Sequence, residues 1–112
     1  MKKTKKCKKI LVNLAINYGS KSEIVEAVNK MRRIKKFIKI KDFEKYLYTK
    51  DIPNPDILIR TGGKKRLSNF LLWQLAYTEL YFIDKLWPDF TVKDYHKILN
   101  NFKKVKRNFG KI

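Results

Sequence analysis

The amino-acid sequence predicts an α/β protein built on a parallel sheet with helices on both faces, of which the chain holds about three strands and four helices. Three observations lead there. Short β-branched runs alternate with segments whose apolar residues recur at helical spacing, in the order strand, helix, helix, strand, helix, strand, helix. The run Asp56-Ile-Leu-Ile-Arg60 is too short and too apolar for anything but a central strand, and the prolines at 53 and 55 keep a helix from reaching it. The third observation is compositional: 112 residues, 44% apolar and 13% aromatic with four glycines, suit one core, neither a disordered tail nor two domains.

The first element reads as a buried strand over 9–16, Lys-Ile-Leu-Val-Asn-Leu-Ala-Ile, running into a turn at Asn17-Tyr18-Gly19. Ser20 or Ser22 then caps an amphipathic helix carrying Glu23 and Glu26 in its first turns and Ile24, Val25, Val28 and Met31 as its apolar stripe. A second helix is expected over about 41–48. The second strand ends at Arg60, and Thr61-Gly62-Gly63 must be a loop whose glycines permit unusual dihedrals and close approach to a ligand. Ser68 or Asn69 caps a third helix through about Ala76, nearly without a polar face and so expected to be buried on most sides. Glu79-Leu-Tyr-Phe82 makes the third strand, Trp87-Pro88-Asp89-Phe90 a turn, and Thr91 caps the last helix through about Lys103. Three strands are few for a parallel sheet, which needs cover on both faces, so these elements read as half of something larger.

Charge narrows the partners. With 28 Lys plus Arg against 10 Asp plus Glu, the formal charge is +18, a surface that attracts polyanions. Only five of the 28 cations are arginines, and the basic runs lack the arginine and aromatic mixture that base stacking and bidentate contacts need, which argues against specific nucleic-acid binding. Residues 1–9 form a lysine-rich leader expected to be mobile, and 10–112 the folded part. No apolar stretch approaches the length of a membrane span and no cleavage site follows the basic start, so the expected location is cytoplasmic, with peripheral contact to an anionic membrane compatible. Cys7 and His96 each stand alone, so neither a disulfide nor a cysteine-clustered zinc site is expected.

In α/β sheets ligands sit at the carboxyl ends of the strands. The residues expected there are Asn17-Tyr18-Gly19, then Arg60 through Gly63 with Arg66 and Ser68, then Glu79. Two arginines six apart bracket a glycine loop that opens onto a capped helix start. Guanidinium forks match phosphate oxygens, and loop amides with a helix N-terminus add positive potential, so the pattern is a plausible pyrophosphate cradle. The plainer reading, a strand-to-helix turn with solvated arginines, stands beside it.

The wording of this stretch carries more than its spacing. Asn54-Pro-Asp-Ile-Leu-Ile-Arg-Thr-Gly-Gly63, Arg66-Leu-Ser-Asn-Phe-Leu-Leu-Trp-Gln74, Ala76-Tyr-Thr-Glu-Leu-Tyr-Phe82 and Leu86-Trp-Pro-Asp-Phe90 closely resemble the C-terminal signature of the cis-prenyltransferases, whose bacterial members are undecaprenyl diphosphate synthases. Leu14-Ala-Ile-Asn-Tyr-Gly19 with Glu23-Ile24 resembles the middle of that family, so the likeness covers nearly the whole chain from Ile10. It implies condensation of isopentenyl diphosphate with an allylic diphosphate such as farnesyl diphosphate, with magnesium, to give long polyprenyl diphosphates. It further implies that Arg60, Arg66 and Ser68 bind the diphosphate of isopentenyl diphosphate, that Glu79 is associated with Mg2+, and that Asn17, Gly62 and Gly63 are secondary site candidates. A homodimer is also implied, with Trp73, Tyr77, Tyr81 and Phe82 as core and dimer-contact residues.

The chain departs from that pattern. No Asp-Gly-Asn occurs, the loop that in the family binds the allylic diphosphate and supplies the central aspartate; no catalytic residue is therefore expected in this chain. Lys64 stands where glutamate is usual, Ser20 and Lys21 replace a glycine and an arginine, and Asn108 replaces the arginine before Phe109-Gly110. The expectation is the C-terminal half of a cis-prenyltransferase domain, inactive without an N-terminal half that is a separate chain or lost. Its rivals are a noncatalytic diphosphate-binding or partner subunit, and a small basic protein that binds nucleic acid or anionic membranes.

Overall fold

The computed structural model describes Cys7 and residues 9–109. The lysine-rich leader falls almost wholly outside them. The described elements are α1 (Ser20–Met31), α2 (Ile40–Glu44), β1 (Ile57–Arg60), β2 (Glu79–Phe82), a single 3-10 turn at Trp87–Asp89, and α3 (Val92–Phe102). The architecture is α/β, with β1 and β2 paired in parallel as the alternating pattern requires.

Register is Ile57 opposite Glu79 through Arg60 opposite Phe82. The ladder continues past both ends: Glu79 N–H donates to the Asp56 carbonyl at 3.0 Å and Ile83 N–H to the Arg60 carbonyl at 2.8 Å. Every β1 residue is half-buried and Leu80 of β2 is exposed, so this parallel sheet lacks the full cover on both faces that such sheets require.

Two expected elements do not form. Residues 9–16 are irregular, with bends at 9 and 16, and pair with no strand among the described residues, leaving Ile10, Leu14 and Ile16 about four-fifths exposed. A β-branched apolar run favours an extended backbone, but a strand exists only through a neighbour that takes up its N–H and C=O groups. Among the described residues the sheet accordingly has two strands, not three. The third helix is also absent: 68–76 is a chain of turns, with Ser68, Asn69 and Leu71 at φ 51, 62 and 47°. Left-handed dihedrals in three of four successive residues prevent the expected helix start.

Tertiary hydrogen bonds hold that conformation. The Asn69 carbonyl and its Oδ1 accept from the Ser20 and Lys21 N–H groups at 2.8 and 2.9 Å, so Asn69 caps α1 from across the molecule. In return Ser20 Oγ accepts from Leu72 N–H at 3.0 Å. The contact is so close that a Cβ on Gly19 would meet the Asn69 amide at 2.8 Å, which explains glycine at the N-cap. The buried apolar residues are Ala27 and Met31 of α1 with Leu47, Leu75 and Ile98, and beside them Phe43 packs on Trp73 with ring centroids 4.5 Å apart.

Candidate functional site

The carboxyl end of β1 carries Arg60 into the loop that follows. Its Nη1 donates to Ser68 Oγ at 2.9 Å and to the Arg66 carbonyl. One guanidinium therefore gathers the three residues singled out by sequence, and it spends only one of its nitrogens doing so. Arg66 contributes its carbonyl to this contact, while its side chain is exposed. Neither arginine enters any ion pair among the described residues. A cavity of about 340 Å³ opens here, lined by Leu58, Arg60, Thr61, Arg66, Ser68 and Phe70. Two arginines without a paired carboxylate and a hydroxyl at an open cavity make this a candidate anion site on charge and donor chemistry.

The expected glycine cradle is corrected. Gly62 and Gly63 have φ of 87 and 70°, the left-handed region that suits glycine, but their N–H groups donate to the Lys85 and Ile83 carbonyls at 2.8 and 3.0 Å. These amides tie the loop to the chain after β2 and are not offered to a ligand. No helix N-terminus faces the site either, because 68–76 is not helical; Ser68 serves as an acceptor for Arg60 and not as an N-cap.

Glu79 is not brought to the arginines. It opens β2 opposite Ile57, at the amino end of the sheet, whereas Arg60 closes β1 three residues along, roughly 10 Å away at the rise of a strand. There Glu79 shares a cavity of about 290 Å³ with Tyr77, Lys106, Arg107 and Asn108. Asp56, at the adjacent end of β1, is ion-paired to Arg107. Among the described residues no three carboxylate, imidazole or thiol groups gather, and cations line the cavity of Glu79. This arrangement does not fit a hard divalent cation, which takes several oxygen ligands. Asn17, at φ 52°, lines a third cavity of about 430 Å³ with Leu14, Ile16, Pro53 and Gln74; Phe70 forms a wall of both this cavity and the arginine cavity.

Two structural residues escaped the sequence reading. Glu23, read as a first-turn acid, is wholly buried and accepts from Tyr18 Oη, Tyr48 N–H at 2.8 Å and Gln74 Nε2 at 3.2 Å. Burial, then the hydrogen bond to Glu23, pushes the Tyr18 hydroxyl up to about 12. Arg107, which the sequence reading did not single out, donates to Asp56 Oδ1 and to the Tyr77 carbonyl at 3.0 Å and lies over the Phe109 ring at 4.5 Å, fastening 105–109 to the amino end of the sheet. The only signal for Glu23 was the lack of a cation one turn on, where Ala27 stands.

A parallel β-pair whose first strand ends at Arg60 beside an open cavity makes the molecule an α/β protein with its candidate site at the carboxyl edge of the sheet. The chain belongs to the family described as putative undecaprenyl diphosphate synthase, whose model matches residues 1–110. Isoprenyl transferases from Fusobacterium nucleatum and Aquifex aeolicus are 52% and 46% identical over 108 and 110 residues, 96% and 97% of this chain. Those alignments take in 46% and 48% of the relatives, so the chain spans about half the length of the curated relatives it matches. The crystal structure of a probable undecaprenyl diphosphate synthase from Campylobacter jejuni superposes with a TM-score of 0.82 at 40% identity, over 98% of this chain and 52% of that one. That of lavandulyl diphosphate synthase from Lavandula x intermedia, in complex with dimethylallyl diphosphate, gives 0.78 at 40% identity, over 86% and 44%.

Proposed function

We propose that this chain is the diphosphate-binding part of a cis-prenyltransferase, with Arg60, Arg66 and Ser68 holding the diphosphate of isopentenyl diphosphate. The observation that carries the reading is the single guanidinium of Arg60 gathering Ser68 and Arg66 at an open cavity with no carboxylate paired to either arginine. A complex of lavandulyl diphosphate synthase with an allylic diphosphate supports a diphosphate as the anion. The allylic diphosphate itself, and the aspartate that the family places beside it, belong to a part of the domain that this sequence does not hold. The chain is therefore inactive alone, and turnover needs the complementary half. The described residues do not fit magnesium, so no step is assigned to it. A homodimer is part of the same proposal, as is a cytoplasmic location.

The test is thermal melting with inorganic pyrophosphate at fixed ionic strength. At about a hundredfold excess over Kd, specific binding stabilises the native state by about 2.7 kcal/mol. Arg60→Ala with Arg66→Ala should abolish the shift, while Lys64→Gln with Lys65→Gln, which leaves the Arg60 contacts intact, should retain it. A shift that survives loss of both arginines would assign the effect to the general lysine field and defeat the proposal. Co-expression with the unmatched half of an isoprenyl transferase should then restore incorporation of labelled isopentenyl diphosphate into butanol-extractable product.

A further inference from the structure

Between α1 and α2 the chain crosses an exposed loop of unusual composition. From Lys30 to Lys41 there are seven cations and no carboxylate: Lys30, Arg32, Arg33, Lys35, Lys36, Lys39 and Lys41. Lys30 is held by Glu26 at 2.6 Å, leaving six directed to solvent without an ion pair. Phe37, Ile38 and Ile40 are interleaved with these cations and are 87%, 40% and 67% exposed. A solvated basic loop has no need of three large apolar side chains in water, and this one is not loose: Ile34 N–H donates to the Met31 carbonyl at 2.8 Å and the Ile34 side chain is half-buried, pinning the loop to the end of α1.

We propose that the 32–41 segment, the loop together with the first two residues of α2, is a membrane-contact element that docks on an anionic bilayer, its lysines and arginines at the headgroups and Phe37, Ile38 and Ile40 entering the acyl boundary. Cations attract the loop to a negative leaflet, and apolar side chains then leave water, the combination that holds interfacial segments. The apolar residues select the lipid over a nucleic acid. Two isoleucines have no face on which a base could stack, and the loop offers one aromatic where a strand-binding surface presents several. This inference stands apart from the diphosphate site, since none of its residues lines the arginine cavity.

The experiment is co-sedimentation of the full chain with vesicles of phosphatidylcholine mixed with phosphatidylglycerol, against pure phosphatidylcholine, across a salt series. Binding to the mixed vesicles alone, weakening as salt rises, is expected. Replacing Lys35, Lys36 and Lys39 with glutamine should weaken it on the order of a hundredfold at low salt. Phe37→Ser with Ile40→Ser keeps every charge and should weaken it roughly tenfold or more. All five positions are exposed, so circular dichroism should report an unchanged fold. Undiminished binding by the Phe37→Ser, Ile40→Ser variant would reduce the loop to a general charge effect and overturn the proposal. So would tighter binding to a single-stranded oligonucleotide than to the vesicles at equal salt. Arg60→Ala with Arg66→Ala should leave vesicle binding unchanged, so that failure here and failure at the diphosphate site can be told apart.

Discussion

Glu23 is the residue on which the described core turns, because a fully buried carboxylate persists only when its oxygens are satisfied. Tyr18 and Gln74 side chains and the Tyr48 N–H do this, and they come from three separate stretches of chain. The Tyr18 hydroxyl ionises near 10 in an unfolded chain and at about 12 here, so the folded state retains a proton that the unfolded state gives up. Stability from this group is whole below about pH 10 and is lost as pH rises through about 12. Tyr18→Phe should lower the free energy of urea unfolding at pH 7 by about 1–3 kcal/mol, the cost of leaving a buried acceptor short of a partner. It should also flatten the alkaline fall. Lysines titrate in the same window, so the difference between the two proteins across the pH series is the quantity to read. A parallel decline in both would remove Tyr18 from that account.

The elements show where a sequence speaks and where it stops. The parallel pair was legible because Ile57–Arg60 follows two prolines and Glu79–Phe82 follows at the spacing of a crossover, and α3 because Thr91 and Asp94 stand at capping-box spacing. Residues 9–16 misled because an apolar alternation reports burial without naming the neighbour that supplies it. Residues 68–76 misled because their backbone serves α1, through Asn69, instead of itself. The site was half legible for the same reason: Arg60, Arg66 and Ser68 lie close along the chain, whereas only the register of β1 on β2 shows that Glu79 lies at the far end. The cap of α3 offers a direct check. Thr91 Oγ accepts from Asp94 N–H, and Asp94 accepts in turn from Thr91 and from Lys85 at 2.8 Å. Thr91→Ala should cost about 1 kcal/mol in urea unfolding. The Lys85 ammonium, then Thr91, holds the Asp94 carboxyl well below the usual carboxylate range, so its contribution is present above about pH 4 and fades as pH falls further. Asp94→Asn should remove that portion of the acid decline and leave the neutral-pH helix content of α1 untouched.

At the scale of the whole molecule the surface is out of proportion to the mass. A globular protein of 13.5 kDa exposes about 6,500 Å², whereas this one exposes 10342 Å². Its radius of gyration is 16.9 Å, where a compact chain of this length gives about 13 Å. Among the described residues, an unpaired apolar segment at 10–16, a two-stranded parallel sheet half covered and few residues inside all act in that direction. Unfolding such a molecule exposes little new surface, and the urea m-value scales with that exposure. The isolated chain should therefore unfold with an m-value below the 1–3 kcal/mol/M range of small proteins, on the order of 1 kcal/mol/M or less, and should bind a hydrophobic dye in its native state. Addition of the unmatched half of an isoprenyl transferase should raise m and quench the dye together, because one event, covering the sheet and the 10–16 segment, causes both. A steep, dye-free transition in the isolated chain would show that its apolar residues find cover within the chain itself, and the need for a complementary half would go with it.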